Sequence, residues 1–112
     1  MAEKLDRIIT TYYKNQAVDF ITRSKAGYDV TVTDKIVIGE IFGENVYQID
    51  DGSYDDTKVC IDIGGNVGAF SIYSALRGAE KCYAFEPDTQ NFGILKENIK
   101  INNMKDQIIP IK

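Results

Sequence analysis

Two carboxylates, Asp62 and Glu86, bracket a cluster of glycines. Asp62 interrupts an apolar run, Val59-Cys60-Ile61-Asp62-Ile63, that stops at Gly64-Gly65-Asn66-Val67-Gly68. Glu86 ends a second short run, KCYAF, about 20 residues further on, where an acid in a nucleotide-binding βαβ unit meets a ribose. The two oxygens of a carboxylate match the two hydroxyls of a vicinal diol, and Pro87 beside it offers a flat apolar surface for an adenine. The glycines allow the tight, positive-φ turn that brings backbone N–H groups up to a ligand, and Asn66 enters left-handed geometry more readily than most residues.

These residues need a frame. The run at 58–63 reads as a buried parallel strand ending in the glycine turn, and VGAFSIYSALRG then runs to Gly78 with helical spacing. Residues 81–86 form a second strand. Asp88 is placed to cap a helix over 89–101, where Phe92, Leu95 and Ile99 share a face. Gly93 weakens that helix by about 1 kcal/mol relative to Ala. Asn102-Asn103 makes a turn, and Ile108, Ile109 and Ile111 a third strand. Pro110 suits only an edge position there. The order βαβαβ puts consecutive strands side by side, as half of a doubly wound α/β sheet.

Upstream, Leu5, Ile8/Ile9, Tyr12/Tyr13, Ala17 and Phe20/Ile21 recur three to four apart, which predicts a helix over residues 3–25, with Lys25 and Gly27 at its end. Tyr12 and Tyr13 read as packing residues of that helix, with substrate contact as the alternative. From 28 to 49, Val30/Val32, Ile36/Ile38 and Val46, Tyr47, Ile49 predict two or three short strands, with turns near Asp34 and at Gly43-Glu44-Asn45. Asp50 to Asp56 reads as a solvated polar loop, without an EF-hand's ligand pattern. One compact domain results: residues 1–57 as leading helix and short strands, residues 58–112 as a partial cofactor-binding unit.

Composition narrows the functions. The chain has 112 residues, 13 basic and 17 acidic side chains, and a net charge of −4. No stripe of Lys and Arg marks a nucleic-acid groove. No apolar run is long enough for a membrane span, and no secretory signal is apparent, so a cytoplasmic location is expected. His is absent, which removes the commonest general base and metal ligand. No zinc-site spacing occurs. Cys60 and Cys82 fall within strands and read as reduced core thiols, with a bridge or redox pair as the alternative.

The glycines exclude two nucleotide motifs. Counting from Gly64, the dinucleotide fingerprint requires glycine at the third place and glycine or alanine at the sixth; Asn66 and Ala69 stand there. The phosphate-binding G-x-x-x-x-G-K-[ST] is also missing. Asp62 to Ser71, then Ala84-Phe85-Glu86-Pro87-Asp88, then Asn91-Phe92 and Leu95-Lys96-Glu97-Asn98 instead resemble the FkbM family of class I S-adenosylmethionine-dependent methyltransferases. The likeness takes in the weaker IFGENVY stretch and covers roughly residues 36–111. Gly65 departs from it, since the family usually has Ala there.

The resemblance implies a Rossmann-like methyltransferase half-sheet and S-adenosylmethionine as cofactor. Gly64, Gly65, Asn66 and Gly68 would lie under its methionine part, with Asp62 and Asn66 placing its polar groups. Glu86 would bind the ribose, and Pro87 and Asp88 would flank the adenine. The acceptor would be a hydroxyl of a sugar or other small molecule. The family's sheet order is 3-2-1-4-5-7-6, and the chain supplies strands 1, 2 and 3, so it looks like an amino-terminal half. Strand 58–63 would then carry an open apolar edge. Self-association through that edge, or its coverage by strands at 28–49, is expected. Two other readings stay open: an interaction module that kept the fold without catalysis, and a different nucleotide-binding domain.

Overall fold

The computed structural model describes residues 8–23, 31–50, 52–55 and 58–112. It begins with a β-hairpin: Ile8–Tyr13 (β1) pairs antiparallel with Gln16–Ile21 (β2), Ile9 opposite Phe20 and Thr11 opposite Val18. Lys14, at φ 55°, turns the chain between them. The hairpin overturns the helix expected over 3–25; residues 3–7, Lys25 and Gly27 lie outside the described residues. The physical reason is visible in the doublets Ile8/Ile9, Tyr12/Tyr13 and Phe20/Ile21. One member of a doublet can face the core at a period of 3.6 or of 2. The β-branched and aromatic composition of IITTYY then favours the strand.

Helix α1, Thr31–Ile38, follows and continues into a π-helical turn, Gly39–Gly43. Residues 46–50 are turns and irregular chain. The strand expected at Ile36/Ile38 and the turn expected near Asp34 are thus replaced by helix, and the strand expected at Val46, Tyr47 and Ile49 by turns and irregular chain; 28–30 are not among the described residues. Asp34, Ile38 and Ile41 are buried while Ile36 and Val37 are exposed, which is one face of a helix. An acid in the buried stripe hid that face from a hydrophobicity pattern. Among the described residues before 58, the hairpin comes first and α1 after it. The expected bend at 43–45 is present: Asn45 has φ 50°, and its side chain bonds both Ile49 N (3.0 Å) and Ile49 O (2.8 Å). In the polar loop beyond, Asp50 Oδ1 accepts from Gly52 N at 3.0 Å.

Residues 58–112 fold as the pattern indicates. Val59–Ile63 (β3), Ala69–Leu76 (α2), Lys81–Phe85 (β4), Thr89–Ile101 (α3) and Ile108–Ile111 (β5) form a parallel sheet in the order β3-β4-β5. Asp88 caps α3, its Oδ2 accepting from Asn91 N at 2.9 Å. Pro110 lies on the outer strand β5 opposite Ala84. Cys60 and Cys82 are opposite each other, buried and unbridged.

One face of this sheet, through Cys60, Cys82, Ala84 and Ile108, shares a core with Ile72 of α2 and with Leu95 and Ile99 of α3. Val18, Phe20, Ile38 and Ile41 belong to the same core, so the amino-terminal elements close it. Aromatic edges knit them to α2: Tyr13 meets Tyr73 at 6.0 Å, and Phe42 meets Phe20 and Tyr73 at 5.6 and 4.8 Å. Tyr13 is therefore a packing residue, and Tyr12 is exposed.

The hairpin is also held by hydrogen bonds from α3. Asn98 Oδ1 accepts from Ile21 N (2.6 Å) and Asn98 Nδ2 donates to Ile21 O (3.0 Å). Asn102 does the same for Asp19, at 3.1 and 2.8 Å. Four residues of helix rise about 6 Å and two residues of strand about 6.6 Å. A pair of amides four apart thus matches the free backbone groups of one strand edge.

Candidate functional site

The glycine turn follows β3. Gly64, Asn66 and Gly68 have φ of 80°, 51° and 98°. Gly64 N and Gly65 N both donate to Phe85 O, at 2.8 and 2.9 Å, so the turn is fastened to the end of β4. A Cβ at Gly68 would lie 2.9 Å from Leu95 Cδ1, whereas one at Gly65 meets nothing nearer than 3.4 Å. Gly68 therefore answers both to conformation and to helix packing, and Gly65 to neither. An alanine fits at 65.

Glu86 completes the fastening. Its carboxylate is buried; Oε1 accepts from Asn66 N and Oε2 from Asp88 N, both at 2.9 Å. One acid thus ties the middle of the glycine turn to the loop that starts α3. Each oxygen keeps a lone pair for a further donor. Pro87 and Asp88 are exposed beside it, with the Asp88 carboxylate engaged in its cap. Asn91, on the first turn of α3, donates through Nδ2 to Asn66 Oδ1 at 3.5 Å, and its own buried Oδ1 has no partner among the described residues. That orphaned acceptor, on a side chain that reaches Asn66, suits a ligand donor.

Asp62 is buried under the turn, and its Oδ2 accepts from Ser71 Oγ at 2.7 Å. Burial pushes its carboxyl above the usual range; the Ser71 hydrogen bond opposes this, and the negative charge of Glu86 adds to it. Such a carboxylate favours a cationic neighbour.

Asp62, Gly64, Gly65 and Asn66 line a cavity of about 430 Å³, within the range of cofactor sites. Gly68, Glu86, Pro87 and Asp88 lie outside this cavity, around the turn. The amino-terminal segment lines it too, with Arg23, Asp34, Val37, Ile41 and Tyr47. Tyr47 meets Phe70 edge to face at 5.2 Å. Of these wall residues, sequence reasoning marked only the IFGENVY stretch. Arg23 and Asp34 gave no local signal, being brought together by the hairpin and α1. Among the described residues no cluster of three or more His, Cys, Asp or Glu side chains could hold a metal ion. Among the described residues no helix is long and apolar enough to cross a membrane.

No protein-family model matches the chain. Over 55 residues, 49% of its length, it is 44% identical to the ribosomal protein L11 methyltransferase of Carboxydothermus hydrogenoformans, and the match covers 18% of that protein. Over 53 residues it is 42% identical to the tRNA (guanine(37)-N(1))-methyltransferase Trm5b of Methanocaldococcus jannaschii, covering 47% of the chain and 15% of that protein. Among solved structures, a SAM-dependent methyltransferase from Agrobacterium tumefaciens superposes on 93% of the chain with a TM-score of 0.62 at 20% identity, and the chain covers 31% of it. The fold is that of the class I methyltransferases. The chain matches less than a fifth of the length of the two curated relatives, and what it carries is the methyltransferase half-sheet with its glycine turn.

Proposed function

We propose that this chain is the S-adenosylmethionine-binding portion of a methyltransferase. The observation that carries the reading is the buried Glu86 carboxylate, hydrogen-bonded to Asn66 N of the glycine turn. It holds the acid for a ribose diol beside the turn for an aminoacyl tail. In this reading Glu86 takes the ribose hydroxyls on its remaining lone pairs, and Pro87 and Asp88 flank the adenine. Gly64, Gly65, Asn66 and Gly68 form the floor, and Asp62 faces the cationic part of the cofactor. When bound, the cofactor supplies the chemistry, because its sulfonium makes the methyl group reactive. The chain's own residues position it and exclude water.

The FkbM-like motifs favour a hydroxyl acceptor on a sugar or small molecule. The named relatives instead act, by their names, on a ribosomal protein and a tRNA, and the net charge of −4 speaks against a nucleic acid held by this portion alone. No described residue is placed as the base that an oxygen acceptor requires. The outer edge of β3 supports association with a second copy.

Calorimetry with S-adenosylhomocysteine tests the cofactor reading. The native chain binds, and Glu86→Ala loses affinity by about 10–100-fold, the worth of charge-assisted hydrogen bonds. Equal binding by the folded variant overturns the reading. An interaction module that has lost the cofactor binds neither the methylated nor the demethylated form.

A further inference from the structure

The cavity at the glycine turn has a charged wall that neither the motifs nor the relatives assign. Arg23 follows β2 by two residues, and its side chain is 16% exposed. Its Nε and Nη2 lie 2.8 and 2.6 Å from Asp34 Oδ1, and its backbone N donates to Asp34 Oδ2 at 2.8 Å. Asp34 is buried, so the guanidinium is braced against a fixed carboxylate. Those side-chain contacts use two of the five N–H donors of a guanidinium. Among the described residues the others are left for a second anion.

Arg23 is also fixed in place relative to the turn. Asn98, fully buried, bonds Ile21 N and O and donates through Nδ2 to Val67 O at 2.7 Å. One side chain thus locks the end of β2 to the glycine turn, two residues before Arg23. Arg23 and Asp34 then face the same cavity as Asp62 and Gly64 to Val67. A braced arginine and the buried Asp62 lining one cavity make a two-signed site, suited to an amino acid's carboxylate and ammonium together.

We infer that Arg23, braced by Asp34, binds the α-carboxylate of the cofactor's aminoacyl tail. This deepens the proposed S-adenosylmethionine reading and rests on it. Arg23 supplies charge-assisted hydrogen bonds, for which an arginine fork is better shaped than a lysine. Asp34 is a positioning residue: it touches Arg23 and sets its rotamer.

The test compares S-adenosylmethionine with its decarboxylated form, which differs only by the carboxylate, on the intact chain. The native protein prefers the carboxylated ligand by about 10–100-fold. The double variant Arg23→Gln/Asp34→Asn, which leaves no unpaired buried charge, binds both equally while keeping its circular dichroism spectrum. Arg23→Lys recovers part of the preference. Equal binding of the two ligands by the native chain overturns the assignment of Arg23 and leaves the cofactor reading standing. A folded double variant that keeps the preference also overturns it. Binding of neither ligand by the native chain overturns both.

Discussion

Two strand edges in this molecule meet opposite fates. The outer edge of β2 is closed by Asn98 and Asn102, whose amides occupy the backbone groups of Ile21 and Asp19. The outer edge of β3 has no strand beside it among the described residues, and on the sheet face turned away from Cys60 and Asp62 its Val59, Ile61 and Ile63 are 47, 63 and 79% exposed. Unpaired edges are templates for further chains, and proteins blunt them with charge, bulges or cover. A helix side chain can do this as well as a strand, provided its amides recur at the strand's repeat. The difference separates an edge finished within this chain from one that invites another.

The largest effect is expected at the finished edge. Asn98→Ala strips partners from Ile21 N, Ile21 O and Val67 O at a fully buried position. Each orphaned buried group costs about 1–3 kcal/mol, so a loss of about 3–5 kcal/mol is expected. Chemical denaturation measures it. Hydrogen exchange should show the hairpin amides losing protection before those of β4. A change below about 1 kcal/mol would mean that the hairpin is held by its aromatic contacts alone.

That asparagine also shows where a sequence stops being legible. The glycine turn, the cap at Asp88, the edge placement of Pro110 and the whole βαβαβ order are local matters. Gly64 and Gly68 need positive φ, Asp88 bonds a residue three further on, and each strand carries its own apolar run. Even the meeting of Glu86 with Asn66 follows from parallel strands ending side by side. The amino-terminal third is decided elsewhere. Doublets such as Ile8/Ile9 satisfy two periods at once, so packing chooses between them. Asp34 occupies a buried helical face only because Arg23 reaches it from another element. The Asn98 tie joins positions 77 apart, which no window along the chain contains, and Arg23 and Asp34, 11 apart, share no periodicity because they lie on different segments.

The open edge should yield to charge. Ile61→Lys with Ile63→Glu places ions where this face is already exposed, so the fold loses little. The native chain is expected to self-associate by analytical ultracentrifugation, and the double variant to weaken that association at least tenfold, about 1.4 kcal/mol. A native chain that remains monomeric at high concentration would show that the β3 edge is harmless, and the contrast between the two edges would collapse.

Asn102→Ala probes the finished edge where it is half exposed. Water can replace the amide at Asp19, whose contacts are only partly buried, so a loss of about 1 kcal/mol is expected. A cost equal to that of Asn98→Ala would mean that the two amides act as one cooperative unit. Their double variant would then cost no more than either alone.

The smallest change tests the helix that carries both amides. Gly93 lies inside α3, and an added Cβ there meets nothing within 4 Å. Gly93→Ala should therefore stabilise the chain by about 0.5–1 kcal/mol through helix propensity. The gain belongs to α3 and, through Asn98, to the hairpin, while the open edge of β3 receives none of it. Stabilisation with unchanged self-association is the outcome that keeps the two edges independent. A parallel fall in self-association would show that α3 governs both, and that the β3 edge is exposed by breathing of the helix layer rather than by the sheet's own order.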